Sequence, residues 1–160
     1  MKTQFSLNDL EDWELEIIHK FPHIYLDLSP CVIAAYEGYK LPDNPCNLRC
    51  GFEFNKGWKN IAIEFSEVIT EFINELHKNK QEDAWVKSFI YKEKFGKLTW
   101  QGDDNLISEF HKKSYWTIIN NFEHKSTFFC ERTGNLGKLR NINGWQKTLS
   151  DIEYNKEIKI

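Results

Sequence analysis

Apolar side chains recur along this chain at two periods, and the switches between them divide it into elements. Leu10, Trp13, Ile17 and Phe21 stand at helical spacing, and Asn8 followed by Glu11 fits a capping box at the start of that helix. Pro22 ends it, because proline lacks a backbone donor and restricts the residue before it. The clearest element runs over 58–76. There Trp58, Ile61, Ala62, Phe65, Val68, Ile69, Phe72, Ile73 and Leu76 form one unbroken stripe that faces a core. Glu64, Glu67, Glu71 and Glu75 fall on the opposite side, toward water or a basic partner. From Ala84 to Tyr91 the residue types change to those of a strand. Lys92–Gly96 then reads as a turn and Lys97–Gln101 as the returning strand of a hairpin. Gly102–Asn105 breaks that strand, with Asp103 and Asp104 as N-cap chemistry for the next helix. That helix places Leu106, Ile107, Phe110, Ser114, Tyr115, Ile118, Ile119 and Phe122 on one side.

The remaining segments are less regular. Residues 36–57 are turn-rich, with Gly38, Pro42, Pro45, Gly51 and Gly57, and 50–54 suits a short strand. Residues 128–145 form a Gly-punctuated unit, and the ending IEYNKEIKI reads as a strand or a loose tail. The order α-β-α-β-β-α-β predicts an α+β fold. Its form would be a single compact domain over 1–160, with an acidic N-terminal helix at 1–22 and two or three amphipathic helices packed on a small antiparallel sheet.

Composition supports a filled core: of 160 residues, 41% are hydrophobic and 15% aromatic. No apolar run reaches the roughly 18 residues of a membrane span, and the N-terminus turns acidic before any apolar stretch develops. The expected location is cytoplasmic. A net charge of −3 argues against a general nucleic-acid binder. The charge is polarised, however. Residues 1–30 hold two lysines against six carboxylates, so Asp9, Glu11 and Asp12 join Glu64, Glu67, Glu71 and Glu75 as candidate partner-binding residues. Across 131–148, Arg132, Lys138, Arg140 and Lys147 face only Glu131, a patch that suits contact with RNA or phosphate.

Candidate chemistry adds little. Cys31, Cys46, Cys50 and Cys130 read first as buried or incidental thiols, with metal or a disulfide as the lesser alternatives; the Cys46–Cys50 gap is looser than in zinc knuckles. Pro22 separates His19 from His23, and His77, His111 and His124 sit near helix ends, where imidazolium favours the dipole. No HExxH, GxSxG or GxxxxGK[ST] motif occurs. These features predict a protein that is not an enzyme and needs no cofactor or metal.

Three anchors carry a resemblance. They are CGFEFNKGWKNI at 50–61, VKSFIYKEKFGKLTW at 86–100 and CERTGNLGKLRNINGWQKTLSD at 130–151. Together, over about residues 20–151, they resemble a family of small phage and prophage proteins. Its members carry GFE-x-GDGW before a helix, a KEKFG-x-LRFY hairpin and a CE-x-CG...GW-x-TLC-x-x-C end. The resemblance implies a genomic setting and no particular activity. The family's last motif looks like a zinc knuckle with four thiolates. Here Cys130 stands at the first position, Thr133 at the second, Ser150 at the third and Glu153 at the fourth. The resemblance therefore implies a knuckle-like unit at 128–151 without metal, held by Leu136, Leu139, Trp145 and Leu149. GDGW likewise becomes Asn55-Lys56-Gly57-Trp58.

Setting and charge together predict a phage- or mobile-element-encoded protein that binds and inhibits a host defence effector. The expected target is a nucleic-acid-handling nuclease complex, as for an anti-CRISPR, met by aromatic anchors in a polar rim. The same features suit an immunity protein that neutralises a toxin nuclease. A small RNA- or DNA-binding accessory protein using the 132–147 loop is the alternative of a different class.

Overall fold

Two short helices open the part of the chain that the computed structural model describes, residues 10–26 and 51–159. Asn8, Asp9, Cys31, Cys46, Cys50 and the stretch 36–50 lie outside the described residues. The helices are α1 (Asp12–Lys20) and α2 (Pro22–Tyr25). The capping box that starts α1 is Glu11 with Glu14, not Asn8 with Glu11. Glu14, at the third helical position, reaches back to accept the Glu11 N–H at 2.8 Å. Pro22 ends α1 and also opens α2, where its missing N–H has no partner to lose.

The chain continues through β1 (Phe52–Glu53), a 3-10 turn (Lys56–Trp58) and α3 (Lys59–Lys78). Next come β2 (Lys87–Lys94), β3 (Lys97–Asp103) and α4 (Glu109–Ser126), then β4 (Lys138–Ile142), β5 (Trp145–Leu149) and α5 (Asp151–Ile158). The class is α+β. The larger sheet has the order β1-β2-β3, and β4 and β5 form a separate antiparallel pair. The larger sheet is mixed rather than wholly antiparallel. β1 runs parallel to β2 with Phe52 opposite Tyr91, while β3 returns antiparallel with Trp100 opposite Tyr91.

The α3 stripe does what its period predicts. Trp58, Ile61, Ala62, Phe65, Ile69, Ile73 and Leu76 are buried against Tyr91, Leu98 and Trp100 of the sheet and Tyr115 and Ile119 of α4. The polar tips of the buried aromatic side chains Trp100, Tyr25 and Trp58 are paired, as a low-dielectric core requires. Trp100 Nε1 donates to the Tyr115 hydroxyl at 3.0 Å, Tyr25 and Ser66 share a hydrogen bond at 2.7 Å, and Trp58 Nε1 donates to the Phe129 carbonyl at 2.7 Å.

Three expectations are corrected. α4 begins at Glu109, so the predicted stripe breaks at its start. Ile107, Tyr115 and Ile119 are buried, but Leu106, Phe110 and Ser114 are exposed, Phe110 by 87%. Asp103 does not cap α4; it accepts the Asn105 N–H at 2.9 Å and turns the chain out of β3, with Ser108 at the N-cap. The C-terminal segment is neither strand nor tail but helix α5. Ser150 caps it, accepting the Glu153 N–H at 3.3 Å. Among the described residues, no helix is long and apolar enough to cross a membrane.

Candidate partner-binding site

The three anchor segments meet in space. Gly57 lies against the backbone of Cys130 and Glu131, and a Cβ added at Gly134 would sit 2.9 Å from the Gly57 carbonyl oxygen. Gly96 packs beneath the Leu139 side chain, and its carbonyl accepts the Thr148 hydroxyl at 2.7 Å. These contacts clamp the 3-10 turn before α3 and the tip of the β2–β3 hairpin onto the C-terminal unit.

Both hairpins end in two-residue turns with both central residues at positive φ, the type I′ form that matches strand twist. In the β4–β5 turn these are Asn143 (52°) and Gly144 (88°), the residues such a turn favours. In the β2–β3 turn they are Phe95 (52°) and Gly96 (73°). A phenylalanine in left-handed backbone is a strained choice. Its ring is 67% exposed, so burial does not explain it.

Between the two tips lies a cleft of ≈ 580 Å³, lined by Glu93, Lys94, Phe95, Glu131, Asn141 and the 144–147 segment. Trp145 and Phe95 are its exposed apolar walls, 76% and 67% accessible. Glu131 is its one buried lining residue, at 4%. Glu131 Oε1 accepts from Asn55 Nδ2 at 3.3 Å, whereas Oε2 is buried with no hydrogen-bond partner. Burial first, and the neighbouring Glu93 carboxylate second, raise the Glu131 carboxyl above its ordinary range. Lys147, the Thr148 N–H and Arg132 pull the other way without prevailing. Glu93 is itself oriented, accepting the Gly96 N–H at 2.6 Å. The cleft is therefore lined by a buried carboxyl whose unsatisfied acceptor is closed to solvent, by a second carboxylate, and by two aromatic side chains. Such a site holds a hydrogen-bond donor and covers its apolar stem.

The charged residues singled out from the sequence occupy other places. Glu64, Glu67, Glu71 and Glu75 are all exposed on α3. Three of them are paired: Glu64 with Lys125 at 2.5 Å, Glu67 with Lys20 at 2.7 Å and Glu75 with Lys78 at 2.7 Å. Only Glu71 is without an ion pair among the described residues, so that face is a mixed-charge stripe. Glu11 and Asp12 are exposed at the start of α1, where Glu11 Oε2 accepts from Trp13 Nε1 at 2.6 Å; Asp9 lies outside the described residues.

The basic segment is largely neutralised by α5. Arg132 binds Glu153 at 3.3 Å and also Glu157, Arg140 binds Asp151 and lies over the Tyr154 ring at 4.3 Å, and Lys147 is 3.8 Å from Glu157. Lys138 is exposed and without an ion pair among the described residues. A charge count over 131–148 does not see these carboxylates, because they come after it in the chain.

The C-terminal unit has the order of a knuckle, a hairpin and a helix N-terminus. Burial pushes the Cys130 thiol up, but the Thr133 hydroxyl and the N–H groups of Ser150, Thr133 and Arg132 outweigh it and hold the thiol below its ordinary value. Thr133, at the second knuckle position, thus acts on the Cys130 sulfur through its hydroxyl and N–H, and Ser150, at the third, through its N–H while its hydroxyl caps α5. Glu153, the fourth, is one turn further on, hydrogen-bonded to Ser150. Among the described residues no group of three or more His, Cys, Asp or Glu is placed to hold a metal. The apolar residues expected to hold the unit do so only in part. Leu149 is fully buried, but Leu136, Leu139 and Trp145 are exposed. Backbone hydrogen bonds do the work instead: Cys130 N–H to the Asn135 carbonyl at 2.7 Å, Gly134 N–H to Cys130 at 2.8 Å and Glu131 N–H to Thr148 at 2.9 Å.

The histidines do not converge. His19 is exposed, while His23 hydrogen-bonds Thr70 at 2.8 Å beside the Trp85 ring. The cleft residues Glu93, Phe95, Glu131 and Trp145 were not legible as a site, although all four lie within the anchor segments. The Asn143–Gly144 pair was a usable signal, since that dipeptide marks a tight hairpin and exposes the residue after it. No protein-family model matches the chain, and no curated protein or solved structure is significantly similar to it.

Proposed function

We propose that this protein is a binding protein that docks on a partner protein through the tips of its two hairpins. The observation that carries this reading is the juxtaposition of exposed Phe95 and Trp145 around the buried, unpaired Glu131 oxygen. Large exposed aromatics beside a desolvated polar group are the composition of an interface hot spot. A Phe kept in a strained turn that asparagine or glycine would relax fits the same role.

Within this reading the protein acts in the bacterial cytoplasm as a phage- or mobile-element-encoded inhibitor. Its partner is a host defence effector, a nuclease complex of the anti-CRISPR target type. The phage-family resemblance motivates that setting, and the mixed-charge surface favours shape-specific contact over wholesale mimicry of DNA. The docking face moves from the α3 carboxylates to the cleft, because Lys20, Lys78 and Lys125 already neutralise most of the former.

The test is capture from a bacterial lysate with tagged wild type, Phe95→Asn and Trp145→Ser, with and without nuclease. One host protein retained by the wild type after nuclease, lost by both folded variants, and inhibited when the wild type is added back supports the proposal. Equal retention by the variants rejects the docking face. Recovery that vanishes with nuclease moves the function to nucleic-acid binding.

A further inference from the structure

We infer that the cleft between the hairpin tips takes an arginine side chain of the partner, its guanidinium set against Glu131 and Glu93 and its stem across Trp145 and Phe95. This deepens the docking reading above and rests on it.

The argument begins with Glu131. A carboxylate that is 4% exposed with one oxygen unpartnered is costly in an isolated chain, and a ligand that donates to that oxygen removes the cost. Glu93 stands close enough to act on Glu131 electrostatically, so a cation between them also relieves like-charge repulsion. Of the two lysines that line the cleft, Lys94 lies over the Phe95 ring at 5.6 Å, and Lys147 reaches toward Glu157 at 3.8 Å while acting on Glu131 only electrostatically. Neither satisfies Glu131 Oε2.

The walls select the kind of cation. A guanidinium is planar, stacks on aromatic faces and sheds water more readily than an ammonium. Its five donors can meet Glu131 and Glu93 while also reaching the side-chain oxygens of Asn141 or Gln146, which line the same cleft. Glu131 Oε2 is closed to solvent, so binding requires the cleft to open, and Trp145, at 76% exposure where β5 leaves its two-residue turn, has little packing to lose. A phosphate or a nucleic-acid backbone is disfavoured here, because it would approach two carboxylates. The volume of ≈ 580 Å³ exceeds one side chain and accommodates the residues flanking an arginine.

The test uses the full chain and four probes: capped Gly-Arg-Gly, Gly-Lys-Gly and Gly-norleucine-Gly peptides and a short single-stranded oligonucleotide. Amide and indole NMR signals of Gly96, Gly144 and Trp145 report binding. The expected result is saturable shifts at these positions with the arginine peptide, and binding about tenfold weaker for the lysine and norleucine peptides. Glu131→Gln should weaken the arginine peptide about tenfold. Glu93→Gln, an accessible position, gives a second reading should Glu131→Gln disturb the fold, and is expected to lower the same affinity. Equal binding of the norleucine peptide, unchanged affinity in both variants, shifts confined to other regions, or preferential oligonucleotide binding would each overturn the inference. Partner capture that needs Trp145 without any arginine preference removes the guanidinium and keeps the docking face. Arginine preference with no captured partner does the reverse.

Discussion

Gly57 presses its Cα against the carbonyl oxygens of Cys130 and Glu131, leaving no space for a Cβ, which would fall 2.5 Å from the Cys130 oxygen. This backbone-on-backbone contact joins the turn before α3 to the C-terminal unit and sets the base of the cleft. Neither side can yield by rotating a side chain, because the obstructing atoms are main chain. Gly57→Ala should therefore destabilise the protein by about 3 kcal/mol, the upper part of the overpacking range. Urea denaturation checks it, and a loss under about 0.5 kcal/mol, the level of an ordinary surface change, would show that the contact is loose.

At the other hairpin, strain can be removed. Phe95 holds φ at 52° in a type I′ turn where asparagine is favoured, and its exposed ring has little burial to forfeit. Phe95→Asn should raise stability by about 1 kcal/mol while weakening partner binding. Thermal melting beside the capture experiment separates these effects. A variant that is both less stable and fully competent to bind would contradict the role given to this residue.

Glu131 makes stability depend on pH in a defined direction. Its carboxyl is raised in the folded state, by burial first and Glu93 second, so folding favours the protonated form. The folded state binds the proton more tightly than the unfolded chain. The resulting stability is complete below the ordinary value of 4.5 and is lost as pH rises through the higher folded value. Compared with Glu131→Gln, the wild type should gain stability as pH falls through that window. Glu14 and Glu123 are also raised by burial, so the informative quantity is the difference between the two proteins. Glu93→Gln should move the window down, since it removes the repulsion. Parallel pH profiles for wild type and Glu131→Gln would refute the assignment.

His23 works in the opposite sense. Burial holds it below 6.5. The Thr70 hydroxyl donates to the Ser66 carbonyl, so it accepts from the ring N–H at Nε2, fixing the neutral tautomer. As pH falls below 6.5 the unfolded chain takes up the proton first, and stability is lost down to the lower folded value. His23→Gln, which can keep a donor toward Thr70, should flatten this loss between about pH 7 and pH 5. An unchanged slope would mean that His23 is as solvated in the folded state as in the unfolded one.

These residues show which parts of the molecule local sequence carries. α3 was legible because its period of apolar residues is long and its core face unbroken, so tertiary context had nothing to override. α4 was legible in its interior but not at its start, because Ile107 is buried from the preceding loop and mimics a helical position. α5 was not legible: IEYNKEIKI has mixed spacing, and its helix depends on the Ser150 cap and on carboxylates that meet Arg132 and Arg140 from an earlier segment. The same pairing made 131–148 look like a free basic patch. The state of Glu131 is set by the β2–β3 tip and by Asn55, both far away in sequence. Its desolvation has no local signature.

The C-terminal unit makes the sharpest test of the relation between motif and fold. The Thr133 hydroxyl and the N–H groups of Arg132, Thr133 and Ser150 already act on the Cys130 sulfur as donors, as backbone amides do around a metal-bound thiolate, and Glu153 follows on the first turn of α5. Replacing the three by cysteine should complete a four-thiolate tetrahedral site. The substitution removes the pairs of Glu153 with Arg132 and Lys156. That loss, together with the loss of the Ser150 cap on α5, is small against the roughly 10 kcal/mol or more that a structural zinc site contributes. Thr133→Cys/Ser150→Cys/Glu153→Cys should bind one zinc per chain, melt at a higher temperature with the metal than without it, and return to the lower value on chelation. A folded triple variant that takes up no zinc would show that the backbone has drifted from knuckle geometry, and that the resemblance at 130–151 is one of sequence alone.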